Sequence, residues 1–227
     1  LVFVTAHLAL QKLGALAVPL NPGFKRSEMA YFLEDARPRL AICGPEQAEM
    51  IRDINPGQAV LRVDTVTPYQ ELELFRSAPD QAEAVDLSPD DPGLVIYTSG
   101  TTGKPKGAVL TQRNLVHDAA NIIRIWEISE KDVLCHALPL FHVHGLCFAL
   151  HTALLAGAHV LLLDGFAPEI VLRLLANQGK EPVCTVFMAV PAMYGKLLEN
   201  LADRRPDFGH MRLWTSGSAP LLPRDFE

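Results

Sequence analysis

The sequence has little that would suit a membrane, a disulfide scaffold or a nucleic acid. Its longest apolar stretches, such as Ala149 to Leu163, are broken by Gly157 and carry His151 and His159. A membrane span needs about 20 predominantly apolar residues, so none of these makes a convincing one. Cysteine is scarce. The four present, Cys43, Cys135, Cys147 and Cys184, are widely spaced, form no C-x-x-C pair and lie mostly in apolar segments. They read as buried thiols in a reducing compartment such as the cytoplasm, not as a disulfide framework. Positive charge is in deficit. A net charge of −6 and a pI near 5.7 give no general field for nucleic acid or an anionic membrane, so any phosphate must be attracted locally. Internal repeats, low-complexity tracts and long linkers are lacking too. The chain opens Leu1-Val-Phe-Val without an initiator methionine or the charged start of a signal peptide, as expected of a piece cut from a longer protein.

What is present is a chain of 227 residues, 49% hydrophobic, long enough to bury one large core or two smaller ones. Short apolar strands alternate with helical patterns. A helix over Val2 to Leu13 ends at Gly14, a strand Ala15 to Leu20 follows, and Ser27 is the expected N-cap of a second helix. Strands are expected at 40–43, 60–63, 94–97, 108–110, 133–137, 160–163, 185–189 and 212–215. Helices are expected at 112–125 (capped by Thr111), 145–155, 168–177 and 191–201. The acidic, proline-bearing region 71–92 is the best candidate for a connection between subdomains. Such alternation implies an α/β fold of parallel sheets with helices on both faces, whose functional loops lie at the carboxyl ends of strands.

One loop concentrates chemistry. Between the strand ending at Tyr97 and the strand starting at Ala108 lie Thr98, Ser99, Gly100, Thr101, Thr102, Gly103, Lys104, Pro105, Lys106 and Gly107. Glycine frees backbone N–H groups for close approach, the short hydroxyls donate hydrogen bonds, and the lysines supply mobile positive charge. Together they suit a polyphosphate. The spacing is not that of a G-x-x-x-x-G-K-[ST] phosphate loop, because Pro105 stands five residues after Gly100 and directly after Lys104. A plain glycine- and proline-rich turn would carry many of the same residues.

Tyr97-Thr-Ser-Gly-Thr-Thr-Gly-Lys-Pro-Lys-Gly107 resembles the signature loop of the acyl-adenylate-forming enzymes: acyl-CoA synthetases, peptide-synthetase adenylation domains and luciferases. Leu138-Pro-Leu-Phe-His-Val-His-Gly145 resembles that superfamily's aromatic-histidine motif, and Thr215-Ser-Gly-Ser-Ala-Pro220 its loop beside nucleotide and acyl group. The resemblance implies that 1–227 is part of a large N-terminal AMP-binding domain, with the ribose-binding aspartate and the small C-terminal domain lying beyond it. A fragment of this extent is expected to be inactive alone. It further implies ATP, Mg2+ and coenzyme A as co-reactants of a small carboxylic acid, with no nucleic-acid partner.

Carried over by position, Thr98, Ser99, Gly100, Thr101, Thr102, Gly103, Lys104 and Lys106 would hold the phosphates. Ser216, Gly217, Ser218, Ala219 and Pro220 would flank adenine and the acyl carboxylate. His142 would stand between the two sites, and Lys106 would neutralise charge in the reaction. His142, His144, Met188, Ala189 and Val190 would wall the acyl pocket, although the Met and its apolar neighbours also suit ordinary core. His136, His142, His144 and His151 lack a fourth ligand at zinc spacing, so no metal ligand is named. The versions Leu-Phe-His-Val-His-Gly and Phe187-Met-Ala-Val-Pro191 look most like the branch that activates malonate and other small acids, in which Arg224 would face a second carboxylate. A peptide-synthetase adenylation domain, or a fragment that binds nucleotide or acyl groups without turnover, is the alternative reading.

Overall fold

The computed structural model describes residues 1–63, 82–98, 103–177, 182–202 and 204–221. It is an α/β structure of two compact units, Leu1–Val109 and Leu110–Glu227. The acidic stretch 71–92 lies inside the first unit, and its residues 71–81 are outside those described.

In the first unit, helix α1 (Val2–Lys12) ends at Gly14, whose φ of 64° suits a residue without Cβ. The expected strand Ala15 to Leu20 is reduced to one parallel bridge: Ala17 N donates to Gly93 O at 3.2 Å and its carbonyl accepts from Val95 N at 2.8 Å. Helix α2 (Arg26–Ala36) has Lys25 as its N-cap and so starts two residues earlier than a Ser27 cap allows. The reason is local: Glu28 Oε2 accepts the Lys25 backbone N–H at 2.8 Å, so a carboxylate from inside the first turn satisfies the end that Ser27 was expected to cap. Strands β1 (Ala41–Cys43) and β2 (Val60–Arg62) pair in parallel through helix α3 (Pro45–Ile54), whose proline starts the helix where no N–H is needed. Met29, Leu33 and Ile51 bury the faces of α2 and α3 against each other. Strand β3 (Pro92–Thr98) is buried from Gly93 to Ile96 and pairs with the largely exposed β4 (Lys106–Thr111). The connection between them, 99–105, has hairpin length and is far too short for a parallel crossover.

In the second unit, Thr111 caps helix α4 (Gln112–Trp126) reciprocally: its hydroxyl accepts from Asn114 N at 3.2 Å and its N–H donates to Asn114 Oδ1 at 3.0 Å. The sheet contains β5 (Val133–His136), β6 (His159–Leu162), β7 (Val186–Ala189) and β8 (Leu213–Ser216), all parallel in the order β6-β5-β7-β8. A π-helix (His144–His151), running on as α5 (Thr152–Leu155), leads from β5 to β6. Helix α6 (Pro168–Leu175) then carries the chain past β5 to β7, and α7 (Pro191–Leu201) carries it to β8. Strand order therefore reverses between β5 and β7. In open parallel sheets ligands bind in the crevice at the carboxyl ends of the strands, at such a reversal.

The amino ends of three strands converge on one carboxylate. Asp132 is 4% exposed. It accepts from Ser129 N at 2.9 Å, Thr185 Oγ1 at 2.8 Å, and Arg212 Nε and Nη2 at 3.0 and 2.8 Å. Burial pushes its acid strength down, but the Arg212, Ser129 and Thr185 hydrogen bonds outweigh burial and hold it below the usual carboxylate range. Removing one partner of a buried pair typically costs about 3–5 kcal/mol. Asp132→Asn is expected to lose about 3 kcal/mol at pH 7, the low end because the Arg212 side chain is 40% exposed. Since the folded value is depressed, the wild-type contribution is complete above the ordinary carboxylate range and is lost as pH falls through the lower folded value. Denaturant unfolding below pH 4 should accordingly show a flatter acid dependence in the variant.

Candidate active site

Two sets of candidate residues are built by different elements. The first belongs to the β3–β4 connection. Ser99, Gly100, Thr101 and Thr102 lie outside the described residues, whereas both stems of the loop are defined. Thr98 ends β3, and its hydroxyl reaches Lys106 O at 3.5 Å. Gly103 has φ of 88°, a left-handed conformation that disfavours any Cβ. Lys106 opens β4 and is exposed. At Gly107 a Cβ would stand 2.8 Å from Val95 Cγ1, so glycine allows β4 to lie close on β3.

Helix α2 touches both stems. The Tyr31 hydroxyl donates to Pro105 O at 2.6 Å, and Lys104 Nζ stands 5.9 Å from the centroid of the Tyr31 ring. The Tyr97 hydroxyl donates to Asp35 Oδ2 at 2.5 Å, and the Tyr97 ring meets Phe32 edge-on at 4.7 Å. Burial first, then the Asp35 carboxylate, pushes the Tyr97 phenol above its ordinary value and keeps it a donor. None of Tyr31, Phe32 or Asp35 was expected at a site. The available signal was the four-residue spacing of Tyr31 and Asp35, which places both on one helical face.

The second set occupies the carboxyl ends of β5, β7 and β8. His142 is exposed, with its ring against Phe141 at 4.5 Å. Its backbone makes the turn into the π-helix: its N–H donates to Pro139 O at 3.3 Å and its carbonyl accepts from Leu146 N at 2.9 Å. Gly145 sits against that turn so tightly that a Cβ would lie 2.3 Å from Pro139 O. Behind it, buried His136 places Nε2 3.0 Å from Gly145 O. A carbonyl can only accept, so Nε2 carries the proton, and Nδ1 is buried without a hydrogen-bond partner.

His144 joins this turn to the loop after β8. Its Nδ1 lies 3.0 Å from Ser218 Oγ, and a Cβ on Gly217 would stand 3.1 Å from its ring. Ser218 adopts φ of 66°, which is costly for a residue with a Cβ. Gly217 N donates to Ala189 O at 3.1 Å, so the ends of β7 and β8 close on each other there. Burial lowers the His144 value below that of a free imidazole, which favours the neutral ring at pH 7. The structure thus brings together His144, Gly217, Ser218 and the end of β7. Met188 and Ala189 are fully buried in the sheet core, while Val190 is half-buried at its rim. Ser216, Ala219 and Pro220 are exposed along the same edge, and Arg224 lies outside the described residues. Among the described residues no cluster of His, Cys, Asp and Glu forms a metal cage, and the cysteines are free thiols.

The sequence profile of the AMP-binding enzymes matches residues 1–227. The chain belongs to the AMP-binding enzyme family. It is 33% identical over 200 residues to the mitochondrial malonate–CoA ligase ACSF3 of Bos taurus, a match covering 87% of this chain and 33% of that one. With the oxalate–CoA ligase of Arabidopsis thaliana the identity is 31% over 228 residues, covering 97% of this chain and 44% of the relative. ATP-bound MatB from Rhodopseudomonas palustris superposes with a TM-score of 0.88 at 34% identity, covering 98% of this chain and 44% of that one. The chain therefore spans between a third and somewhat under half of the length of these relatives. The α/β architecture is that of the AMP-binding family, and no described helix is long and apolar enough to cross a membrane.

In this family member the buried His136 makes folding stability sensitive to acid. Burial, together with neighbouring His144 and against the Gly145 carbonyl, lowers His136 to about 4. The unfolded imidazole titrates near 6.5, so the unfolded chain takes up the proton first and stability falls as pH drops from about 6.5 toward 4. Between pH 7 and pH 5 the loss is expected to be about 2 kcal/mol by linkage. Denaturant unfolding at the two pH values should show this loss, and His136→Asn should abolish most of it.

Proposed function

We propose that the protein carrying this chain is an AMP-forming acyl-CoA synthetase acting on a small acid or dicarboxylate of the malonate type. The observation that carries this reading is the family match over the whole chain together with the Tyr97–Gly107 loop, whose stems are held on α2. The carboxylate oxygen attacks the α-phosphorus of ATP and pyrophosphate leaves, giving the acyl-adenylate. The thiol of coenzyme A then takes the acyl group and AMP departs.

In the first step negative charge grows on the departing pyrophosphate. Thr98, Ser99, Thr101 and Thr102 as donors, the glycines Gly100 and Gly103 as points of close approach, and Lys104 and Lys106 as cations are suited to that charge. Donors fixed beforehand stabilise the transition state more than the ground state. Magnesium enters with the nucleotide as part of the substrate. Its preference for phosphate oxygens and water requires no cage of protein carboxylates, and we assign it no protein ligand.

At the β5–β7–β8 edge a neutral His144 can hydrogen-bond a carboxylate or carbonyl without contributing charge, and Ser216 to Pro220 offer small side chains to a flat ring. His142, exposed beside that edge, would orient the acyl group in this reading. Malonate– and oxalate–CoA ligases among the relatives support a short, doubly acidic substrate.

Two measurements test the proposal on the full-length protein. Lys106→Ala is expected to slow ATP–pyrophosphate exchange about a hundredfold, the scale of losing one preplaced electrostatic group. Its thermal midpoint should hardly move, because Lys106 is exposed. In an acid panel of malonate, oxalate, acetate, octanoate and palmitate, kcat/KM should favour the short acids at least about tenfold, since a polar wall left unpaired against an alkyl chain costs about 1–3 kcal/mol. An optimum at palmitate would exclude the small-acid reading.

A further inference from the structure

The geometry points to Tyr31 and Asp35 of α2 as positioning residues that fix the two stems of the phosphate-binding loop at a set separation. This rests on the reading of Tyr97–Gly107 as the polyphosphate site. The two side chains stand one helical turn apart on the same face, where neighbouring Cβ atoms are about 5–6 Å from each other. One accepts the hydroxyl of Tyr97 on the entering strand, and the other donates to the carbonyl of Pro105 on the leaving side. Proline has no N–H, so the backbone group it offers there is its carbonyl, and Tyr31 takes it.

Between these two hydrogen bonds Phe32 packs edge-on against Tyr97 and stacks on Phe24, each at 4.7 Å between ring centroids. Phe32 is only 3% exposed, so α2 is held from below while its outer face grips the loop. Lys104 lies within cation–π reach of the same Tyr31 ring. A single tyrosine thus meets two successive residues of the leaving stem. Preplaced phosphate donors are useful only when their spacing is fixed before the nucleotide arrives, and α2 provides that spacing without touching phosphate.

Pyrophosphate exchange by the full-length protein, read as separate KM values for ATP and for the acid, tests this. Tyr31→Phe keeps the ring and removes only the hydroxyl. It is expected to raise KM for ATP about fivefold, the scale of one hydrogen bond, with KM for the acid and the thermal midpoint unchanged. Asp35→Ala and Tyr97→Phe are each expected to have a similar effect. Because they break one shared bond, the double variant should be no worse than either single one. Asp35→Asn keeps an acceptor oxygen and should restore the ATP KM.

Lys106→Ala separates the two levels of the argument. If it lowers exchange while Tyr31→Phe leaves the ATP KM unchanged, the positioning role is overturned and the phosphate reading stands. Should the α2 variants lower the thermal midpoint alone, the contacts are structural and the positioning role is likewise overturned. An unchanged rate in Lys106→Ala would overturn the phosphate reading and the positioning role with it.

Discussion

The second unit depends on how one buried carboxylate is satisfied. Asp132 precedes β5, Thr185 precedes β7 and Arg212 precedes β8, yet all three side chains meet. Thr185 Oγ1 also accepts from Val133 N at 2.9 Å, and Arg212 Nη1 donates to Trp126 O at 2.8 Å. Hydrophobic burial alone would hold β5 against β7 without choosing a register, since Leu134, Cys135, Val186 and Phe187 are all buried whichever face of the sheet they take. A slip of one residue in any strand would separate Asp132 from a partner and leave a charge in the interior. The alternatives are therefore destabilised more than the native pairing is stabilised.

Fixing register at the amino ends also fixes what faces what at the other end of four-residue strands. His136 ends β5, Ala189 ends β7 and Ser216 ends β8, with Ala189 opposite Ser216. Beyond these points the chain makes two close approaches: Gly145 against the Pro139 carbonyl, which only glycine permits, and Gly217 against the His144 ring, where a Cβ would be tight. The His144–Ser218 contact spans 74 residues of sequence and holds Ser218 in a left-handed conformation. Strained backbone of this kind persists where the surroundings over-determine it, and it is found preferentially at working sites.

Much of this was legible in the sequence because local signals and tertiary needs agree. Thr111 as a cap, Pro191 at a helix start, and short apolar runs between turn residues placed α4, α7 and the strands of the main sheet within about two residues, the usual uncertainty of element ends. The loop motifs gave the family. Three features were not legible. The His144–His151 segment is apolar on nearly every side, with Gly145, Leu146, Cys147, Ala149 and Leu150 all buried. No hydrophobic stripe distinguishes π from α winding there, and the tight seat of Gly145 on Pro139 is a tertiary fact. Ser27 has the residue type of a cap but lies inside the first turn, where Glu28 instead satisfies the Lys25 N–H. The Asp132 network joins residues 53 and 80 positions apart, for which no local pattern exists.

The first unit meets a different constraint. In the proposed reading the Tyr97–Gly107 connection presents backbone N–H groups to a polyphosphate, so its stems are tied by contacts other than apolar burial of the connection itself. Ordering each free residue costs about 1–2 kcal/mol of backbone entropy, and closing a loop costs more when its ends are free to separate. Tying Tyr97 to Asp35 and Pro105 to Tyr31 removes the second cost at the stems, where side chains can still be packed. With an overall charge of −6, the chain gives phosphate no long-range attraction. In the proposed reading the attraction is local, and one of the two lysines, Lys104, rests against the tyrosine that holds the stem.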